Sequence, residues 1–335
     1  MAAALPPAPG AARMPAAENG GRGMAEVRTI AEGLLFPEGP VALPDGSFLL
    51  VEIARRTVSR IAPNGTVSVV AETGGGPNGL AIGADGAAYV CNNGGFEFVR
   101  EPGHGLRPAW QAHDYLYGRI ERVDLSSGKV EVVTRGLPER RLRGPNDLVV
   151  DRTGAIWFTD LGKRRAHDLD WGGVYWLSPD GKEIKEVAYP VLTANGIGLS
   201  PDERTLYVAE TEGARLWAFD IVGPGEVKKH PYPSPHGGRL VHQSGGRDYK
   251  RFDSLAVEAS GNICVATLAT GGISVIAPSG ELVEFVPMPD RMTTNLCFGG
   301  PDLKTAYVTL SLSGRLVAVD WPRPGLPLNF LNRKP

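Results

Sequence analysis

Gly144-Pro145-Asn146-Asp147-Leu148-Val149-Val150-Asp151-Arg152-Thr153-Gly154-Ala155-Ile156-Trp157-Phe158-Thr159-Asp160 reads as a polar tip at Asn146, an apolar strand, a turn at Arg152-Thr153-Gly154 and a second strand. The phrase returns along the chain. It begins at Glu38 in Phe36-Pro37-Glu38-Gly39-Pro40, at Asn78 in Pro77-Asn78-Gly79-Leu80-Ala81, at Asn195 in Asn195-Gly196-Ile197 and at Asp253 in Asp253-Ser254-Leu255. A looser copy begins at Thr294 in Thr294-Asn295-Leu296-Cys297-Phe298. A recurring unit of roughly forty to fifty residues, built only of short strands and turns, marks a β-propeller. Each unit is a small twisted sheet that cannot bury both faces alone, so neighbours must stack around an axis. Six copies predict an all-β, six-bladed β-propeller in one closed domain. The first residue of each innermost strand then stands at one mouth of the central channel.

A single Asn or Asp before Gly is ordinary turn chemistry, because these residues tolerate φ > 0. The set says more. Glu38, Asn78, Asn146, Asn195 and Asp253 all offer a carboxylate or amide oxygen, and no tip is Lys, Arg or His.

Composition agrees with this class. Among 335 residues, Gly 44 and Pro 28 suit a turn-dense all-β chain. A net charge of −2 leaves no nucleic-acid footprint; the cluster Arg135, Arg140, Arg141 and Arg143 is broken by Pro138 and Glu139 and reads as a solvated loop. Cys91, Cys264 and Cys297 have neither metal-ligand spacing nor a disulfide framework, which points to a reducing, cytoplasmic setting. No apolar run approaches the roughly 20 residues that span a bilayer.

Taken in order, residues 1–24, rich in Ala, Pro and Gly, read as a disordered tail. The propeller is expected over 25–322 and an irregular tail over 323–335. Val27 to Leu34 is expected to pair with the last blade and close the ring, which removes exposed sheet edges. The interruption Asn92–Tyr117 holds Phe96, Phe98, His104, Trp110, His113, Tyr115 and Tyr117; a loop of that length is expected to be a lid or pocket wall. His113 and Tyr115 are its candidate substrate contacts. Lys163–Gly172 and the polar linker Pro231–Arg251 are further rim loops.

Glu38, Asn146, Asn195 and Asp253 together offer two carboxylates and two amide carbonyls. Oxygen-only donors suit a hard divalent cation, calcium first, with Mg2+, Mn2+ or Zn2+ as alternatives. Calcium takes about 6–8 oxygens, which leaves room for water and substrate. Asn78 is an outer ligand or substrate contact. Such an ion supports hydrolysis by polarising a carbonyl. Asp253 can be general base, nucleophile or only a ligand. No Gly-x-Ser-x-Gly elbow, His-Glu-x-x-His or phosphate loop is present.

Over about residues 27–320 the ordered set of tip motifs, with Phe298-Gly299-Gly300-Pro301-Asp302-Leu303, resembles the senescence-marker-protein/gluconolactonase-like family of six-bladed propellers. The resemblance implies hydrolysis of sugar lactones with a divalent ion, often calcium. It implies Glu38, Asn195 and Asp253 as direct metal ligands, Asn146 as a metal or substrate contact, and Asp253 as base. An arginine near the third tip often binds substrate in that family; Arg143, three residues before Asn146, is the candidate. The chain departs from the family in having Asp253-Ser254 rather than Asp-Gly at the fifth tip, and in its long blade-two insertion. The expected activity is metal-dependent opening of a small lactone. The alternatives are a phosphotriesterase or arylesterase on the same scaffold, and a non-catalytic calcium-binding propeller. The expected partner is a small lactone or ester, in a monomer or small homo-oligomer, with no nucleic acid and no membrane.

Overall fold

The turns decide where each strand pair folds back. Asp151 Oδ1 accepts the Thr153 and Ala155 backbone N–H groups at 2.9 and 3.1 Å, and Gly154 takes a left-handed φ of 88°. In blade four the corresponding turn, Ser200-Pro201-Asp202-Glu203, has no glycine; Glu203 itself adopts a φ of 58°.

The computed structural model describes residues 26–245 and 249–333. The expected N-terminal tail lies outside them. Every regular element among the described residues is a strand. Six sheets of four or five strands succeed one another along the chain. Their innermost strands are Pro37–Ala42, Pro77–Ile82, Pro145–Val150, Ala194–Leu199, Arg251–Val257 and Thr293–Gly299. Two-stranded hairpins, Phe96–Glu101 with Gly105–Gln111 and Gly136–Leu137 with Arg140–Arg141, stand off blades two and three. No helix of the described residues is long and apolar enough to cross a membrane.

The ring closes as the sequence predicts. Arg28–Ala31 pairs antiparallel with Arg315–Asp320, Arg28 opposite Ala318, so the first strand completes the last sheet. The apolar core is divided the same way, into six clusters, one between each pair of neighbouring blades. Leu49, Val51, Leu80 and Val90 join blades one and two; Ile120, Leu148, Phe158 and Tyr175 join two and three; Trp157, Trp176, Ile197 and Phe219 join three and four. Ala218 with Val265, Val275 with Leu296, and Leu316 with Leu50 complete the circuit. Each large side chain buried at such a joint contributes about 1.5–3 kcal/mol. All three cysteines are buried free thiols.

Two sequence expectations need correction. The linker Pro231–Arg251 is not loop throughout: Arg239–Gln243 pairs with Arg215–Gly223 as an extra outer strand of blade four. Its alternation is weak because both faces are half-exposed, which hid it. The expected solvated loop around Arg135–Arg143 is a small hairpin with Leu142 buried beneath it. The C-terminal stretch lacks regular strand, as expected, but is strapped across the end of the propeller opposite the tips. Leu326 N–H donates to Val257 O at 2.9 Å, and Asn329 Nδ2 donates to Val150 O at 3.0 Å and Glu203 Oε1 at 2.8 Å.

Candidate active site

Each innermost strand starts opposite the end of the second strand of its blade. Pro37 faces Glu52, Pro77 faces Asn92, Pro145 faces Asp160 and Ala194 faces Glu210. These four partners are buried and act alike, each accepting backbone N–H groups from the loop that leads into the innermost strand. Glu52 takes Leu35 N–H at 2.8 Å, Asn92 takes Gly76 N–H at 2.9 Å, and Glu210 takes Leu192 N–H at 3.0 Å. Asp160 takes Arg143 and Gly144 N–H, both at 2.7 Å. A buried carboxylate with its acceptor sites filled this way is a rigid clamp. The tips are therefore fixed at one mouth of the channel by a repeated device that the tip motifs alone did not reveal. Its signal was present: the second strands of the first four blades end in Glu, Asn, Asp and Glu.

All six tips, Glu38, Asn78, Asn146, Asn195, Asp253 and Thr294, are buried. The residue after the tip explains how they converge. A Cβ on Gly39 would lie 2.7 Å from Leu80 N, one on Gly79 2.7 Å from Asn146 O, and one on Gly196 2.6 Å from Asp253 O. Neighbouring innermost strands meet backbone to backbone there. In the other three blades the same position is Asp147, Ser254 and Asn295, all buried. These three place polar groups just inside the tips, and Asp147 was not among the residues singled out from sequence.

Charge is concentrated at this point. Burial pushes the Glu38 carboxyl up to about 7, although the Asn295 amide, the Gly39 N–H and the Thr294 hydroxyl partly offset it. Asn295 Nδ2 donates to Glu38 Oε2 at 2.7 Å and Gly39 N–H donates to the same oxygen at 2.8 Å. Asp147 is pushed up to about 7 by burial and by the Glu38 charge. Asp253 is held well above the ordinary carboxylate range by burial and by Glu38, with the Asn195 amide and Arg251 pulling the other way. Three carboxylates within each other's field, without a facing ammonium or guanidinium on two of them, form a site short of positive charge.

The amides complete the picture. Asn195 Nδ2 donates to Thr211 Oγ1 at 2.9 Å, while its Oδ1 is buried with no hydrogen-bond partner among the described residues. An orphaned buried acceptor beside repelling carboxylates is what a cation ligand looks like before the cation is added. No three His, Cys, Asp or Glu side chains among the described residues are grouped as metal ligands. A cation here would therefore rest on Glu38 and Asp253 with the amide oxygens of Asn146 and Asn195, and that donor set fits a hard divalent ion.

The remaining candidates sit on the rim. Asn78 lies in the tip ring. Tyr115 O–H donates to Arg143 O at 2.6 Å, joining the blade-two insertion to the third tip loop. Arg143 extends its guanidinium over the Tyr117 ring, 5.5 Å from the centroid. His113 does not join the tips: its side chain is 96% exposed and its Nε2 lies 2.6 Å from Glu97 Oε1. The insertion itself is an ordered wall. Phe98 packs on Phe36 of blade one with centroids 5.4 Å apart, Leu106 N–H donates to Leu312 O of blade six at 3.1 Å, and Arg56 of blade one pairs with Asp114 at 2.5 Å. Lys163, missed from sequence, pins its base. Its buried ammonium donates to Asn93 Oδ1 at 3.0 Å and Gly95 O at 2.9 Å and lies 3.9 Å from the Phe96 ring centroid. Below the tips the channel keeps a largely apolar cavity of about 120 Å³, lined by residues such as Val41, Leu148, Leu255 and Phe298 and closed at the far end by Leu326, Leu328 and Leu331. Substrate must therefore approach from the mouth that carries the tips.

Several known proteins similar to this chain are lactonases. A gluconolactonase of Zymomonas mobilis is 26% identical over 303 residues, covering 82% of this chain and 76% of its own. A lactonase of Staphylococcus saprophyticus is 27% identical over 263 residues, covering 78% of this chain and 70% of its own. The solved structure of a gluconolactonase from Xanthomonas campestris superposes with a TM-score of 0.69 at 25% identity, covering 89% of this chain and 90% of its own. These relatives are lactone-hydrolysing enzymes by name. The model of the SMP-30/Gluconolactonase/LRE-like region family matches residues 36–311, and the chain belongs to that family.

Proposed function

We propose that the enzyme hydrolyses a small, sugar-derived lactone with one divalent cation, calcium first, held by Glu38, Asn146, Asn195 and Asp253. The observation that carries this reading is the unpartnered, buried Oδ1 of Asn195, on an amide that also reaches Asp253, which in turn repels Glu38. Such an ion would polarise the lactone carbonyl and stabilise the oxyanion that forms on it.

The chain's own residues supply the rest. Asp253 removes a proton from water, whose oxygen adds to the lactone carbonyl carbon. The ring C–O bond then breaks, and the proton passes to the departing alkoxide to leave a hydroxy acid. Burial and the nearby Glu38 charge raise the affinity of Asp253 for that proton, which suits a general base once ionised. Asn78, Arg143 and Tyr115 bound the mouth and orient the substrate. Asn295 and Thr294 hold Glu38 in place. The C-terminal strap closes the channel behind the site, which limits water to the open side.

A less polar ester substrate draws little support from the insertion. Phe96 and Phe98 pack partly buried against the cluster shared by blades one and two, and the Trp110 ring of the same insertion carries the Arg164 guanidinium 5.2 Å from its centroid.

The decisive assay is acid release from a panel of aldonolactones and aliphatic lactones, after chelation and after adding back Ca2+, Mg2+, Mn2+ or Zn2+. Turnover that vanishes on chelation and returns with one ion is expected. Folded, metal-binding protein that turns over no lactone with any ion would send the function elsewhere.

A further inference from the structure

We propose that Arg141 and Arg143, held together on the ring of Tyr117 beside the third tip, form an anion subsite, and that the lactone opened here carries an oxyanion away from its reacting carbonyl. The inference rests on the lactonase reading and names the substrate class within it.

Arg141 and Arg143 place their guanidinium carbons 5.2 and 5.5 Å from the Tyr117 ring centroid. Neither makes a hydrogen bond or ion pair with a carboxylate among the described residues. Three nearby arginines do: Arg119 with Glu121 at 2.6 Å, Arg140 with Glu186 at 2.7 Å, and Arg165 with Asp170 at 2.8 Å. Asp170, whose charge Arg143 shares in the surrounding field, is already gripped by two nitrogens of Arg165, at 2.8 and 3.0 Å. Two planar forks are therefore left with their donors unspent, the geometry that grips a carboxylate, sulfonate or phosphate from two sides.

The platform under them is built. Tyr117 sits at a left-handed φ of 66°, a conformation that costs a bulky residue free energy, and its ring meets both guanidinium groups. Tyr115 packs against it with centroids 5.3 Å apart and donates to Arg143 O at 2.6 Å, while Asp160 takes the Arg143 N–H at 2.7 Å. The Arg143 backbone is thus clamped on both sides and its side chain leaves from a fixed point. That point is three residues from Asn146, at most about 10 Å along the chain, within reach of the far end of a six-carbon lactone whose carbonyl lies at the tips.

The experiment compares D-glucaro-1,4-lactone with D-glucono-1,4-lactone, which differ only in carrying a carboxylate or a hydroxymethyl group at the far carbon. The wild-type metal-loaded enzyme is expected to favour the charged lactone roughly tenfold or more in kcat/KM, mainly through KM. Arg141→Gln and Arg143→Gln should each collapse that ratio toward one, and raised ionic strength should erode it. In parallel, calorimetry on the same proteins measures binding of D-glucarate against D-gluconate, with wild type favouring the dianion and the variants losing the preference. Equal handling of the two lactones by wild type, with a ratio unmoved by either substitution, overturns the proposal. Should neither lactone be hydrolysed, the lactonase reading fails on this pair, and the calorimetric preference alone decides the anion subsite: its absence overturns it.

Discussion

Asn195 gives its amide hydrogen to the Thr211 hydroxyl at 2.9 Å, and this fixes the opposite face of the same amide, the Oδ1 acceptor, in a buried position without a partner. Thr211 therefore helps to decide which way the third ligand faces, together with Asp253, toward which the same amide also donates. Thr211→Val keeps the shape and removes one of these two restraints on the amide. Calorimetric titration of chelated protein with calcium should show affinity lowered about 10- to 100-fold, with the melting transition of the metal-free protein nearly unchanged. Equal affinity would show that Thr211 does not orient Asn195.

Asp253 separates binding from chemistry. Asp253→Asn keeps an oxygen at the fifth tip but cannot take a proton. Turnover is expected to fall about 10²- to 10⁴-fold while a weakened metal site survives. Wild-type turnover in metal-loaded Asp253→Asn would remove the residue from proton transfer.

Gly79 tests how tightly the innermost strands meet. Its added Cβ would lie 2.7 Å from both Asn146 O and Asp147 Cα, which are backbone atoms that cannot swing aside. Gly79→Ala should lower stability by about 1–3 kcal/mol and reduce activity by moving the third tip. A variant that melts and turns over like wild type would show slack at the axis.

His236 sets an acid limit. It is buried against Trp217, ring centroids 4.5 Å apart, and burial with the Lys229 and Arg215 charges holds its pKa down to about 4. The unfolded chain protonates histidine near pH 6.5, the folded one only near 4. Its contribution is therefore intact above about pH 6.5 and is lost as pH falls toward 4, at a cost of about 2 kcal/mol by pH 5. Urea unfolding at pH 7 and pH 5 should show His236→Gln losing less stability between the two than wild type does.

The blade count was legible because each tip phrase is local: a polar residue, an apolar run and a turn all lie within a few residues, as in Asn146 to Gly154. Ring closure was legible for the same reason at Arg28–Ala31. What sequence hid was everything set by the neighbouring blade. Asp147 reads as the second half of an Asn-Asp turn, and only convergence on the axis shows it inside the channel. Lys163 reads as one more surface lysine of a charged loop; its burial depends on Asn93 and Gly95, which lie far away in sequence. His113, read as a substrate contact from its aromatic-rich loop, stands apart from the tips with its side chain 96% exposed, because Glu97 rather than the channel holds its ring. The strand Arg239–Gln243 was lost among polar residues because an outer strand buries little of either face.

The most direct measurement of the central claim is calcium binding by chelated protein, with turnover followed on the same sample. The four-tip account predicts one ion per chain, binding abolished or strongly weakened in Glu38→Gln and Asn195→Ala, and lactone hydrolysis returning in step with occupancy. Full hydrolysis by protein shown by elemental analysis to be free of divalent metal would contradict it.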